Sequence, residues 1–236
     1  SILMTNKIHP LFPTVIYQCK VEGHEKWKEL LESKTEHHFD PCTFADKYAK
    51  GYHLTGEARG KSVMHKDEDL SSFFTIIADN VRECLNSAGI KPDMHDVHFM
   101  KSWCTIKEYT DTMSEHNHAC SDLSFVYYVS TPYKTGLVFT IPKSPNEYFG
   151  GVFDPKPDPR SHKFDDNFIN ASSTFLPVEA GDLLIFPGSM RHSVPPEGHK
   201  KGKYLRSIAG DIKISLKEEY VNLETGLIHP SHWRTF

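Results

Sequence analysis

The chain has 236 residues, a formal charge of −4 with histidine neutral, 38% hydrophobic and 25% charged residues. That is the balance of an ordinary globular chain, and the length suits one domain spanning 1–236, because large all-β barrels reach this size. The mild negative charge gives no electrostatic case for nucleic acid or an anionic membrane as partner, and no apolar run approaches the roughly 20 residues of a membrane span. The segment from Ser1 to Lys7 lacks the regions of a signal peptide. Five scattered cysteines without a Cys-x-x-Cys make a disulfide framework unexpected and a reducing, cytoplasmic compartment the simpler one.

Leu11 to Lys20 is apolar and β-rich, and reads as an opening strand whose free edge could support a homodimer. Glu25 to Lys34 places Trp27, Leu30 and Leu31 at helical spacing among charges. Residues 35 to 64 show no clear period and read as loop. Acidic Asp67-Glu68-Asp69 then precedes Leu70, Phe73, Phe74, Ile77, Val81 and Leu85, the start signal and buried stripe of an amphipathic helix ended by Ala88-Gly89. This N-terminal portion, 11–90, predicts helices that pack across one face of a sheet.

Strands follow, over Val97–Tyr109, Leu123–Ser130, Gly136–Ile141, Thr174–Val178, Asp182–Phe186, His192–Val194 and Tyr204–Leu216. The long polar stretch Pro142 to Ser173, with Gly150-Gly151 inside it, reads as a candidate lid with a hinge. Helices first and about eight strands after predict a mainly β (α+β) domain. Its expected form is a double-stranded β-helix, or cupin-like jelly roll, with a barrel core over 97–216 and a pocket at its open end.

Two histidines one residue apart, His116 and His118, fall where a turn enters a strand. In extended chain such residues project to the same side and reach one metal ion. His192 lies in a similar setting downstream. Three imidazoles leave open positions on iron, but suit zinc, copper or nickel as well. Arg206 sits in an apolar strand where an unpaired guanidinium is costly, so it wants a carboxylate: that of a ligand, or Asp182 or Asp211. Ser207 and Tyr128 are candidates to hydrogen-bond a co-substrate, and Thr105 and Asn117 are candidate pocket groups. Trp103, Phe125 and Phe139 read as core, and the remaining histidines, including His37-His38, as surface residues.

The order Leu11-Phe12-Pro13-Thr14, Ser102-Trp103, His116-Asn117-His118, Ser124, Val126-Tyr127-Tyr128-Val129, Gly181 to Pro187, His192 and Arg206-Ser207-Ile208 resembles the Fe(II)/2-oxoglutarate-dependent oxygenases of bacteria and phages. The resemblance covers roughly Leu11 to Ile214. It implies a jelly roll, Fe(II) held by His116, His118 and His192 and 2-oxoglutarate held by Arg206. It also implies a hydroxylase that uses dioxygen and turns 2-oxoglutarate into succinate while oxidising a substrate the sequence does not name. Two positions depart from the pattern. The superfamily usually has a carboxylate where His118 stands, which leaves Asp122 or Glu115 as alternative third ligands. The family commonly has glycine where Phe125 follows Ser124, which could narrow the pocket. Other readings stay open: a three-histidine cupin-type dioxygenase that needs no 2-oxoglutarate, a jelly-roll binding protein with a degenerate site, and last a zinc hydrolase.

Overall fold

A computed structural model describes residues 14–39, 63–107, 112–140, 173–195, 202–221 and 229–235. Nine strands are described: β1 (Tyr17–Lys20), β2 (His95–Lys107), β3 (Met113–His116), β4 (Leu123–Ser130), β5 (Thr135–Thr140), β6 (Ser173–Val178), β7 (Asp182–Pro187), β8 (Arg191–Val194) and β9 (Leu205–Leu216). They form a five-stranded sheet, β1-β7-β4-β9-β2, and a four-stranded sheet, β3-β8-β5-β6, with every pair antiparallel. From β2 onward successive strands alternate between the sheets, save that β5 and β6 pair within the smaller one, and that winding is the double-stranded β-helix expected from the sequence. Residues 142–172, which hold most of the expected lid and the Gly150-Gly151 hinge, lie outside the described residues.

Two α-helices, α1 (His24–His38) and α2 (Ser71–Ser87), cover the outer face of the larger sheet. The stripe read from the sequence is the one that packs. Phe73, Phe74, Ile77, Val81 and Leu85 are buried, and they share a core with Leu31, Phe125, Tyr127, Leu183, Ile185, Ile208 and Ile212. The alternation of strand side chains then divides the protein. One parity of β4, β7 and β9 faces the helices. The other parity, with Val126, Tyr128, Leu184, Phe186 and Leu205, faces inward between the sheets.

Several expectations shift. The opening strand is shorter than 11–20: its described part is β1, and residues 11–13 lie outside the described residues. The first helix starts at His24, which is buried rather than on the surface; its Nδ1 is 2.5 Å from the Tyr127 hydroxyl. The second helix begins as a 3₁₀ turn, Glu68–Leu70, before α2. β3 was not expected at all, because Met-Ser-Glu-His carries no β-branched or aromatic signal apart from the imidazole.

Phe125 does not narrow the inner pocket. It is fully buried on the helix side of β4, edge-on to Phe74 and Phe99. Its ring fills the space over Gly210, where an added Cβ would sit 2.5 Å from Phe125 Cε1 and 2.7 Å from the Lys101 carbonyl oxygen. Gly210→Ala is therefore expected to destabilise the fold by about 1–3 kcal/mol through overpacking. Melting should fall by roughly 2–4 °C for each kcal/mol. An unchanged melting temperature would mean that ring and backbone are not in this contact.

Candidate metal centre

The chain crosses from the smaller sheet to the larger between β3 and β4. His116 ends β3, and His118 lies just beyond it in the connecting segment. The two histidines thus come from a strand end and the turn that leads on to β4, not from one continuous extended segment. That turn is stitched to the β7–β8 turn: the His118 amide donates to the Gly188 carbonyl (2.8 Å), and the Gly188 amide to Asp122 (3.1 Å). Gly188 is held so close that a Cβ there would stand 2.5 Å from the Ser121 carbonyl oxygen. On β8, His192 is the direct cross-strand partner of His116.

These placements bring three imidazoles together. One ring nitrogen from each of His116, His118 and His192 lies within 4.8 Å of the others. Each ring also has its Nδ1 committed elsewhere. His116 Nδ1 is 2.8 Å from the Ser114 carbonyl oxygen, His192 Nδ1 is 3.0 Å from the Met190 carbonyl oxygen, and His118 Nδ1 meets the Asp211 carboxylate. A carbonyl or carboxylate can only accept, so each Nδ1 is the nitrogen that donates here, and Nε2 is the nitrogen left to meet a metal. Burial pushes His192 down to about 4, against a smaller opposing effect of the Met190 hydrogen bond, so this imidazole is neutral at physiological pH. His118 Nε2 is a buried polar atom without a hydrogen-bond partner. A divalent cation bound by three Nε2 atoms would satisfy it, so this donor set fits Fe(II).

Asp211 completes the arrangement, and sequence reasoning gave it only the part of a possible partner for Arg206. It is fully buried on the inward parity of β9. Ser124 Oγ donates to its Oδ1 (2.9 Å), and Lys101 Nζ stands 3.2 Å from its Oδ2. Burial alone would raise its pKa; the His118 and Ser124 hydrogen bonds and the charges of His118 and Lys101 outweigh this and hold it below the ordinary carboxylate value. Trp103, expected in the core, stacks on His118 with ring centres 5.6 Å apart, and Lys101 Nζ lies 5.0 Å from the centre of its ring.

The alternative third ligands point elsewhere. Asp122 caps a strand crossing, accepting from Lys213 Nζ (2.7 Å) and the Ile214 amide (2.8 Å). Glu115 accepts from Arg191 (2.7 Å) and Thr140 (2.5 Å) at the surface. Among the described residues, only the three histidines form a group able to hold a metal.

A chamber opens beside the imidazoles. Trp103, Thr105, Lys107, Met113, Val126, Tyr128, Thr135, Leu137, Val194, Leu205, Ser207 and Ala209 line it with them. Tyr128, Ser207 and Thr105 are thus among the lining residues, whereas Asn117 is exposed and absent from the lining. Arg206 requires a correction. Its neighbours Leu205 and Ser207 face the chamber, so Arg206 has the opposite parity and projects toward α1, where Nη2 pairs with Glu36. The chamber's cation is instead Lys107 at the end of β2, 6% exposed and the cross-strand partner of Leu205. Lys107 is the only lysine or arginine among the described lining residues.

Residues 101–208, the segment holding all three histidines, Lys107 and Arg206, match the model of a family described as "Putative 2OG-Fe(II) oxygenase". The family resemblance read from the sequence is borne out over this segment. No curated protein matches the chain. Among solved structures, it is similar to an oxidoreductase of the 2OG-Fe(II) oxygenase family from Burkholderia pseudomallei (9% identity, 57% of this chain and 58% of that one, TM-score 0.35). It is also similar to the alpha-ketoglutarate-dependent epimerase SnoN from nogalamycin biosynthesis (12%, 94% and 87%, 0.46) and to a Pseudomonas putida prolyl-4-hydroxylase (12%, 85% and 92%, 0.44). The chain spans less than two thirds of the first of these.

Proposed function

We infer that the chain is an Fe(II)- and 2-oxoglutarate-dependent oxygenase, as the family match of residues 101–208 indicates, and propose that its reaction is a hydroxylation. The observation that carries the site assignment is the convergence of three imidazoles beside a chamber whose described lining has one buried cation. His116, His118 and His192 would hold Fe(II). Lys107 would hold the far carboxylate of 2-oxoglutarate as a compact charge in an apolar wall. When bound, iron and 2-oxoglutarate supply the oxidation: one oxygen atom of O₂ leaves in succinate, with CO₂, and the other enters the substrate.

The protein's own part is to hold and to shield. The three Nδ1 hydrogen bonds fix each imidazole's tautomer and orientation before metal arrives. Tyr128, Ser207, Thr105 and Thr135 supply hydroxyl groups along the chamber for the co-substrate's remaining oxygens. Trp103, Met113, Val126, Leu137 and Leu205 keep water from the reacting end. As part of the same reading, the whole chain acts as one domain and β1, at the end of the five-strand order, offers its edge to a second copy. Among the described residues no helix is long and apolar enough to cross a membrane.

An anaerobic titration tests this directly. Fe(II) followed by 2-oxoglutarate should give the visible metal-to-ligand charge-transfer band of the chelate, and oxygen should then yield succinate. Iron binding without a band or succinate would overturn the 2-oxoglutarate assignment in favour of the three-histidine dioxygenase, with Lys107 holding a substrate carboxylate. Failure to bind any divalent metal would leave only a binding protein.

A further inference from the structure

A ligand set of three neutral imidazoles leaves a bound divalent cation with its full double charge, whereas a set containing a carboxylate ligand removes one unit. The chamber's described lining holds no aspartate or glutamate to make up the difference. The nearest buried anion is Asp211, one hydrogen bond behind His118 and on the inward face of β9. We propose that Asp211 is a positioning residue that returns the missing negative charge to the metal site through His118, giving that imidazole imidazolate character, and that Lys101 sets how much of the charge is returned.

The geometry gives each partner a distinct part. His118 Nδ1 faces Oδ1, so the carboxylate's pull on the Nδ1 proton leaves more electron density on the ring and strengthens the Nε2 donor that would meet the metal. Ser124, on the inward parity of β4, donates to the same Oδ1 and fixes the carboxylate's plane. Lys101 stands 3.2 Å from the other oxygen and is about one-third exposed, so part of the anion's charge is spent on it. Trp103 stacks on His118 and closes one side of the ring, which holds the imidazole plane toward Asp211. A purely structural ion pair would need no histidine between its anion and a site; here the histidine is the only one of the three whose Nε2 is buried and unpartnered.

This inference rests on the metal reading above. Its test uses the full-length apo-protein titrated with Co(II), whose visible spectrum reports both affinity and ligand field, and needs no turnover. Asp211→Asn keeps the shape and removes the charge. It should weaken Co(II) binding by about 10- to 100-fold and change the visible bands. Lys101→Met should act in the opposite direction, tightening binding a few-fold. In the Asp211→Asn background that gain should shrink, as expected of coupled groups and not of a simple through-space charge. If Asp211→Asn fails to fold, the Lys101→Met gain and its Co(II) spectrum decide the matter alone. Equal affinity and spectra in wild type, Asp211→Asn and Lys101→Met would overturn the proposal while leaving the three-histidine site standing. Wild-type protein that binds no Co(II) would overturn both.

Discussion

His192→Ala is expected to abolish stoichiometric Fe(II) binding and, with it, all oxygenase turnover, while the protein stays folded. His192 is the one imidazole of the three carried on the far strand β8, and it is 3% exposed, against Phe186 at 4.9 Å and Phe139 at 6.1 Å between ring centres. Its low pKa of about 4 comes chiefly from burial, so at neutral pH no proton has to leave before a metal can bind. Removing it leaves two ligands and a gap in an apolar wall. Loss of a supporting hydrogen bond costs a metal site about 10- to 100-fold in affinity, and loss of a ligand should cost more. Isothermal titration with Fe(II) under nitrogen measures the effect, and circular dichroism separates it from unfolding. Glu115→Gln is the counter-experiment. That carboxylate serves Arg191 and Thr140, so the variant should bind metal as wild type does. Loss of binding in Glu115→Gln with retention in His192→Ala would overturn the ligand assignment.

The sequence carried the order of the barrel well, because most strands announce themselves. Leu123 to Ser130 and Asp182 to Phe186 are dense in β-branched, aromatic and aliphatic residues and appear as β4 and β7 within a residue of their expected limits. The helix of Ser71–Ser87 was equally plain, since its apolar stripe is the face it buries. β3 was hidden because four ordinary residues become a strand only when β8 lies beside them, a contact between residues about 80 positions apart. The convergence of His116, His118 and His192 was legible as spacing; the route was not, since the crossing between sheets after His116 belongs to the topology.

Arg206 shows a different limit. An arginine among apolar residues signals a buried cation, but only parity says which face it takes. A clue was present. Ile208, Ile212 and Ile214 share the parity of Arg206 and make a helix-facing stripe, whereas Ser207, Ala209 and Asp211 give the small and polar stripe a site requires. The same reading along β2 sets Lys101, Trp103, Thr105 and Lys107 on one face. The chamber's cation was therefore written in the sequence on the neighbouring strand, opposite Leu205.

Lys107→Met is accordingly expected to weaken 2-oxoglutarate binding by roughly 30- to 1000-fold, the equivalent of about 2–4 kcal/mol for a buried charge pair that loses one partner. Methionine keeps the length and apolar stem of the side chain, so the β2–β9 pairing at Leu205 should persist. Fe(II) affinity should be unchanged, because the lysine lies among the chamber walls and not in the imidazole cluster. Arg206→Ala should do the reverse of what its place in the sequence pattern suggests. It removes a partly exposed ion pair with Glu36 that ties β9 to α1, an interaction of about 1 kcal/mol or less, and should lower the melting temperature slightly. Its 2-oxoglutarate affinity should stay within about twofold of wild type, since a side chain of the outward parity has no route into the chamber without twisting the strand. The charge-transfer band under anaerobic titration reads both variants on one scale. A band lost in Arg206→Ala and kept in Lys107→Met would return the co-substrate to the arginine and would require β9 to take the opposite parity at that position.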